Sequence, residues 1–546
     1  MITSSESRIK ALTDAGYWGD ETLHDLLAGH AARRSRQLAV RDQPNREELT
    51  GDPPLSLNWA ELDAASESLA IQLQELGIVA DDRLIVQLPN IVELPVTYYA
   101  ASKLGAIVSP VPMQYGGHEL RGIAQTLNPA GFITLRMPRE DALALAAREG
   151  LSGTRVLAFG SELQLDIRPP ASRCRRSPAD ANTILSICWT SGTTGTPKGV
   201  PRSHNMWLAT ARCTIVAGGY TPDDKLLNPF PLVNMAALGG FLFPAALLGC
   251  AIILHQPLDP PLFLRQMQDE RVTFTIAPPA LLNQLAKAPE LWRQLDFSAL
   301  RRIGSGSAPL APWMIETFRR DYGKEVVNFY GSNEGISLFA TPETAPEPEV
   351  RAAMFPRPGA NANTATRVAD PNSGQLLAVA GERGELLISG ATVFDGYFQH
   401  DNCEVFTADG FFRTGDLVEI CGEQAGFYRI VGRCKDIINR GGMKISPAEL
   451  DVALEQHPQL REAAVCAYPD DRLGEKVCAC LVAASADTVI PTLEELQDYL
   501  LAGGFARFKL PERIEVFEQL PRNALGKVQR YVLQDRITAD NEEDRS

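Results

Sequence analysis

Clustered cysteines, basic runs and a leading apolar segment are all scarce in this chain. Ten cysteines are scattered over 546 residues, and only Cys478 and Cys480 stand close together. That leaves neither zinc-ligand spacing nor the density of a disulfide framework, and it points to reduced thiols. The 52 Lys and Arg are outnumbered by 67 Asp and Glu, a net charge of -15. A nucleic-acid partner would then need a local basic stripe against the overall field. The nearest cluster, Arg173, Arg175 and Arg176, is too short and reads as a solvated loop. The opening residues MITSSESRIKALTDAG are polar where an export signal needs an apolar core, so a cytoplasmic location is expected. One uncharged run, Leu226 to Leu258, is long enough to cross a bilayer. Pro229, Pro231, Gly239, Gly240, Pro244 and Gly249 interrupt it, and it reads as a buried helix followed by a strand from Cys250 to Leu254.

A hydrophobic fraction of 45% and a charged fraction of 22% are those of a globular chain, and its length suits several domains at roughly 150 residues each. In the first third, Leu62, Ala65, Leu69, Leu73 and Leu76 recur at helical spacing up to Gly77, and Leu84 to Leu88 reads as a buried strand. A second cycle follows, with a helix from Leu94 to Leu104 and a strand from Ala106 to Val111. This alternation predicts an α/β fold with parallel strands joined by helical crossovers. Beyond GRCKD (Gly432 to Asp436) the pattern changes. Ser446, Pro447 and Glu449 signal a helix start, Thr492 and Glu495 repeat the device, and Ala463 to Ala467, Val477 to Val482 and Ile514 to Phe517 read as strands. The expectation is a large N-terminal body of βαβ subdomains, residues 1–432, and a small, mobile α+β C-terminal domain, residues 433–546.

The segment ICWTSGTTGTPKGVPRSHN, Ile187 to Asn205, carries the most chemistry. Gly192, Gly195 and Gly199 let backbone N–H groups turn inward, Thr190, Ser191, Thr193 and Thr194 add hydroxyls, and Lys198 adds positive charge. Such a loop suits a polyphosphate, ATP above all, or else is a flexible surface turn. It lacks the Gly-Lys-Ser/Thr of the common phosphate loop.

TSGTTGTPKG, Thr190 to Gly199, resembles the phosphate-loop signature of the adenylate-forming superfamily of acyl- and aryl-CoA synthetases, peptide-synthetase adenylation domains and beetle luciferases. In the same order, FYGSNEG (Phe329 to Gly335), RTGDL (Arg413 to Leu417), GRCKDIINRGGMKISPAEL (Gly432 to Leu450) and PRNALGK (ending at Lys527) resemble its other motifs. The resemblance implies that Lys527 bridges the substrate carboxylate and the α-phosphate of ATP while Glu334 helps to hold Mg²⁺. Both are chemically apt, since joining two anions needs cations and hard oxygen ligands. It implies that Thr190, Ser191, Gly192, Thr193, Thr194, Gly195 and Lys198 bind phosphate. Tyr330 would stack on adenine opposite Gly306, Ser307, Ala308 and Pro309, with Gly331, Ser332 and Asn333 alongside. Asp416 would take the ribose hydroxyls with Arg433 as a further contact, Lys435 would be the hinge, and Gly441 and Gly442 would line a tunnel for the pantetheine thiol.

Two positions depart from the family pattern. Asn333 stands where Thr is usual, and its amide still donates a hydrogen bond without a hydroxyl's geometry. Asn234 stands where many members have His, and the resemblance implies that it borders the acyl pocket with Met235 and Gly306. The neighbours Met235, Ala236, Leu238 and Phe241 predict a hydrophobic carbocyclic, aromatic or medium-chain acid. The implied activity is an ATP-dependent carboxylic acid:CoA ligase working through an acyl-adenylate with release of pyrophosphate. The alternative is a stand-alone aryl-acid AMP ligase that loads the phosphopantetheine of a carrier protein, which INRGGMKI and PRSHN also resemble. Either reading makes small acids, ATP and a thiol the partners, without nucleic acid or a membrane span.

Overall fold

A strand buried on both faces reads as a continuous apolar run, and such runs build the first sheet. The computed structural model describes residues 1–136, 151, 153–176, 178, 180–190, 197–307, 309–359, 363–434, 436–440, 443–470, 472–485, 487–503, 505–522, 526 and 528–543. The chain forms two compact units, residues 1–365 with 388–412 and residues 366–387 with 413–546.

In the first unit one sheet runs in the order Arg155–Phe159, Gly131–Leu135, Arg83–Val86, Ile107–Pro110, Ile184–Thr190, Lys198–Ser203. The first five strands are parallel, and the last returns antiparallel to its neighbour, pairing Thr190 with Lys198. The crossovers are helical, as the periodicity predicts. Glu93–Leu104, which joins Arg83–Val86 to Ile107–Pro110, is buried along its whole length and stops at Gly105, and Trp59–Glu75, which leads into Arg83–Val86, opens on a reciprocal cap between Asn58 and Glu61. A second, eight-stranded sheet runs Ser337–Ala340, Glu325–Gly331, Arg302–Gly306, Phe274–Ile276, Lys225–Asn228, Ala251–Leu254, Leu38–Arg41, Ser56–Asn58. The uncharged run feeds this sheet. Its apolar helical turns, Met235–Ala237, Leu238–Leu242 and Phe243–Leu248, lead into the expected strand Ala251–Leu254. They are preceded by a strand, Lys225–Asn228, too short for its periodicity to be read. Among the described residues no helix is long and apolar enough to cross a membrane.

The second unit draws on two sheets. One includes, as successive neighbours, Phe427–Arg433, Phe412–Cys421, Arg383–Gly390, Thr364–Ala369 and Leu376–Leu377. The other is built on the long antiparallel pair Leu460–Asp470 and Gly474–Ala483, and the free edge of Gly474–Ala483 takes both the hairpin Ile438–Arg440, Met443–Ile445, at Gly474, and the parallel strand Arg513–Val516. Helices Pro447–Leu454 and Leu493–Ala502 bury Leu450, Leu454, Leu496 and Leu500 in its core. The second helix has the full cap between Thr492 and Glu495. The first begins at Ser446 and Pro447 as expected, but the Ser446 hydroxyl donates to the Val431 carbonyl instead of capping. All ten cysteines are free thiols.

Candidate active site

The antiparallel strands Ile184–Thr190 and Lys198–Ser203 deliver the two ends of the glycine-rich segment side by side. Thr190 and Lys198 face each other across this pair. Ser191, Gly192, Thr193, Thr194 and Gly195 lie outside the described residues, as do Ala308, Lys435, Gly441, Gly442 and Lys527. On the exit strand, Lys198, Val200 and Arg202 alternate with Gly199 and Pro201, so the two cations share one face. Lys198 Nζ sits 4.7 Å from the centre of the Tyr397 ring, a cation–π contact.

That ring ties Lys198 to the second motif. The Tyr397 hydroxyl donates to Glu334 Oε1 at 2.9 Å, and the Phe394 N–H donates to the Glu334 carbonyl at 2.9 Å. Phe398 N–H completes the strap by donating to the Gly199 carbonyl at 2.8 Å. Glu334 is 9% exposed, and no described residue bonds its Oε2 or pairs with it as a salt bridge. The buried Ser332 hydroxyl beside it has no hydrogen-bond partner among the described residues. A carboxylate oxygen and a hydroxyl held clear of such partners near a lysine form a hard, oxygen-rich donor set, which fits Mg²⁺ carried on a polyphosphate. Gly335 shapes the turn: its φ is +112°, and a side chain there would collide with the Thr392 carbonyl, while the Thr392 hydroxyl donates to the Gly335 carbonyl at 2.8 Å.

Asn333 explains its own departure from the family pattern. Its Oδ1 accepts from Met235 N–H at 2.8 Å and its Nδ2 donates to the Trp189 carbonyl at 3.3 Å. The longer amide spans two backbone segments, a reach that a threonine hydroxyl lacks. Met235 in turn lies over Gly331, where an added Cβ would already stand in contact with Met235 Cγ, 3.6 Å away. Asn234 caps the short helix that follows, its Oδ1 accepting from Ala237 N–H at 3.3 Å. Leu238 and Phe241 have no exposed surface and belong to the main core, so of the four apolar neighbours only Met235 and Ala236 keep any exposed surface.

At the end of the parallel strands Arg302–Gly306 and Glu325–Gly331, Gly306 pairs with Phe329. A side chain at Gly306 would strike the Phe329 carbonyl, and Ser307 next to it takes φ +69°. Gly306, Ser307 and Pro309 thus leave the same sheet edge as Tyr330, whose ring lies 5.5 Å from that of Phe355. Ligands of open α/β sheets bind at such carboxyl ends of strands. In the second unit, Asp416 and Arg433 are cross-strand partners, with Arg433 Nε 2.9 Å from Asp416 Oδ1. Asp416 is 5% exposed, and its N–H bonds the Thr414 hydroxyl at 3.1 Å.

Tyr397 and Arg202 were not legible as site residues in the sequence. Tyr397 stands 63 positions from Glu334 with no pattern linking the two. The signal that could have found Arg202 is its place two residues from Val200 and four from Lys198, on one face of the strand Lys198–Ser203. Arg202 is fully buried, and burial pulls its guanidinium down to about 9, still charged at neutral pH.

Residues 36–398 match the AMP-binding enzyme family and residues 449–527 the AMP-binding enzyme C-terminal domain. The chain is 31% identical to the indoleacetate–CoA ligase of Aromatoleum aromaticum, over 88% of this chain and 92% of that protein. It is 30% identical to the salicyl-AMP ligase / salicyl-S-ArCP synthetase of Mycobacterium tuberculosis, over 95% of this chain and 91% of that protein. The fold matches ATP-bound MatB from Rhodopseudomonas palustris with a TM-score of 0.79 at 27% identity, covering 94% of this chain and 99% of that one. A strand pair that sets Thr190 against Lys198, a carboxylate at Glu334 with an oxygen held clear, and both family domains in order make this chain a member of the AMP-binding enzyme family and an AMP-forming acid–thiol ligase.

Proposed function

We propose that the enzyme activates a hydrophobic carbocyclic, aromatic or medium-chain carboxylic acid and transfers it to the thiol of CoA. In the first half-reaction a carboxylate oxygen attacks the α-phosphorus of ATP, the bond from that phosphorus to the bridging oxygen breaks, and pyrophosphate leaves. In the second, the thiol sulfur attacks the acyl carbon, AMP departs and the thiol proton passes to solvent. The observation that carries this reading is the Lys198–Tyr397–Glu334 chain, which holds a cation and a carboxylate at one turn. Mg²⁺ held by Glu334 would offset phosphate charge. Lys198 and the Thr190 to Gly195 loop would grip the phosphates, and Tyr330 with Gly306 to Pro309 would enclose adenine. Asp416 and Arg433 would take the ribose. Lys527 would neutralise charge at the α-phosphate, and residues 433–546 would turn about Lys435 between the steps to admit the thiol past Gly441 and Gly442. Asn234, Met235 and Gly306 would border the acyl group, and we place the reaction in the cytoplasm.

Loading of a carrier-protein phosphopantetheine is the second reading, favoured by the likeness to a salicyl-AMP ligase / salicyl-S-ArCP synthetase over nearly the whole chain. Pyrophosphate release measured against a panel of carboxylic acids, with CoA, with a phosphopantetheinylated carrier protein and with neither, tests both. Turnover with a hydrophobic acid that rises with CoA supports the first reading. A rise only with the carrier protein supports the second, and no release with any acid overturns both.

A further inference from the structure

Arg202 has the surroundings of a buried cation with no counter-ion among the described residues. Its side chain has no exposed surface. Nη1 donates to the Asn333 carbonyl at 2.9 Å, and Nη2 donates to the Met206 carbonyl at 2.9 Å and to the Thr210 hydroxyl at 2.7 Å. The guanidinium stacks on Trp207, 4.4 Å from the ring centre. No ion pair among the described residues includes it, although Glu334 lies near enough to act on its charge. Taking a charge out of water without a partner is unfavourable, and a neutral side chain of similar length would fill the space without that cost. What the guanidinium adds is a forked donor and a positive potential. One prong holds the peptide that joins Asn333 to Glu334, and the other holds the first turn of helix His204–Gly218.

We infer that Arg202 is a positioning residue for nucleotide activation: it pins the Asn333–Glu334 peptide and supplies the buried positive field under the turn that receives Mg²⁺ and the phosphates of ATP. The carboxylate of Glu334 would otherwise face a polyphosphate from a turn held by neutral groups, the Phe394 N–H, the Tyr397 and Thr392 hydroxyls and the Asn333 amide. When the nucleotide binds, its negative charge gives the buried cation the counter-charge that its protein surroundings withhold. The inference rests on the adenylate-forming activity, and not on the identity of the acid or thiol.

Arg202→Met and Arg202→Lys, each in the full chain, test it through binding and through the separate half-reactions. For Arg202→Met, calorimetric affinity for the Mg²⁺ complex of α,β-methylene-ATP should weaken about tenfold or more, the scale of losing hydrogen bonds from a charged donor. The Mg²⁺ concentration for half-maximal pyrophosphate exchange should rise. Acyl transfer from supplied acyl-adenylate to the thiol should stay within about threefold of the parent enzyme, since no pyrophosphate-bearing group is then present. Arg202→Lys, which keeps the charge but not the fork, should fall between the two. If Arg202→Met does not fold, Thr210→Val removes one bond to the guanidinium and should shift the same nucleotide affinity in the same direction by a smaller factor. Unchanged affinity for the nucleotide analogue, or equal loss in both half-reactions, overturns the inference. A parent enzyme that adenylates no acid overturns the functional reading instead.

Discussion

Asn333, Glu334 and Lys198 are polar groups whose partners are set by the strand ends that carry them. Asn333 bonds two backbone segments, Glu334 receives a tyrosine hydroxyl, and Lys198 lies over that tyrosine's ring. The motif letters made Glu334 and Lys198 legible as candidates, because a carboxylate and a lysine next to glycines are the groups that metal-bound phosphate chemistry needs. Tyr397 was not legible, since the contact that joins it to Glu334 spans residues with no common period. The role assigned to Lys527 is the residue-scale claim most open to refutation. Lys527→Ala should slow adenylate formation by about a hundredfold or more, the scale on which a positioned charge-stabilising donor acts. Acyl transfer from supplied acyl-adenylate should change much less, and rapid-quench measurement of the two steps checks this. Equal loss in both would remove Lys527 from the adenylation step.

Elements bring their own titrations. Between strand Leu38–Arg41 and helix Arg46–Thr50, the Arg46 guanidinium meets two buried carboxylates, Asp42 at 2.6 Å and Glu93 at 2.5 Å. Two acids share one base, and burial with the Glu93 charge pushes Asp42 up from 3.8 to about 6. The folded protein therefore holds a proton that the unfolded chain gives up between those values. The stability this proton contributes is complete below about pH 4 and is lost as pH rises through about 6. The loss amounts to roughly 2 to 3 kcal/mol for a shift of this size. Urea unfolding of the parent and of Asp42→Asn across pH 4 to 7 should show a steeper fall in the parent; identical slopes would remove Asp42 as the source. The helix start at Thr492 was readable from the cap residues alone. Ser446 shows where that local grammar ends, because a carbonyl 15 positions away takes its hydroxyl.

At the scale of the whole molecule, two units, each with its own core, carry different parts of the motif set. If residues 433–546 turn about Lys435 between half-reactions, Lys435→Pro should stiffen the connection by fixing φ. Thioester formation should then fall by about tenfold or more while pyrophosphate exchange holds near the parent rate, as expected when a conformational step limits turnover. Unchanged thioester turnover would count against the hinge. By itself, the amino-acid order determined the α/β class, the crossover helices, the caps and the five motifs, because each is written in neighbours a few residues apart. Tertiary structure alone decided that Tyr397 joins Lys198 to Glu334, that Asn333 bridges Trp189 and Met235, and that Arg202 is buried beneath them. Those contacts join positions tens to more than a hundred residues apart, and only the packing of strands and loops sets which distant side chains come within bonding distance.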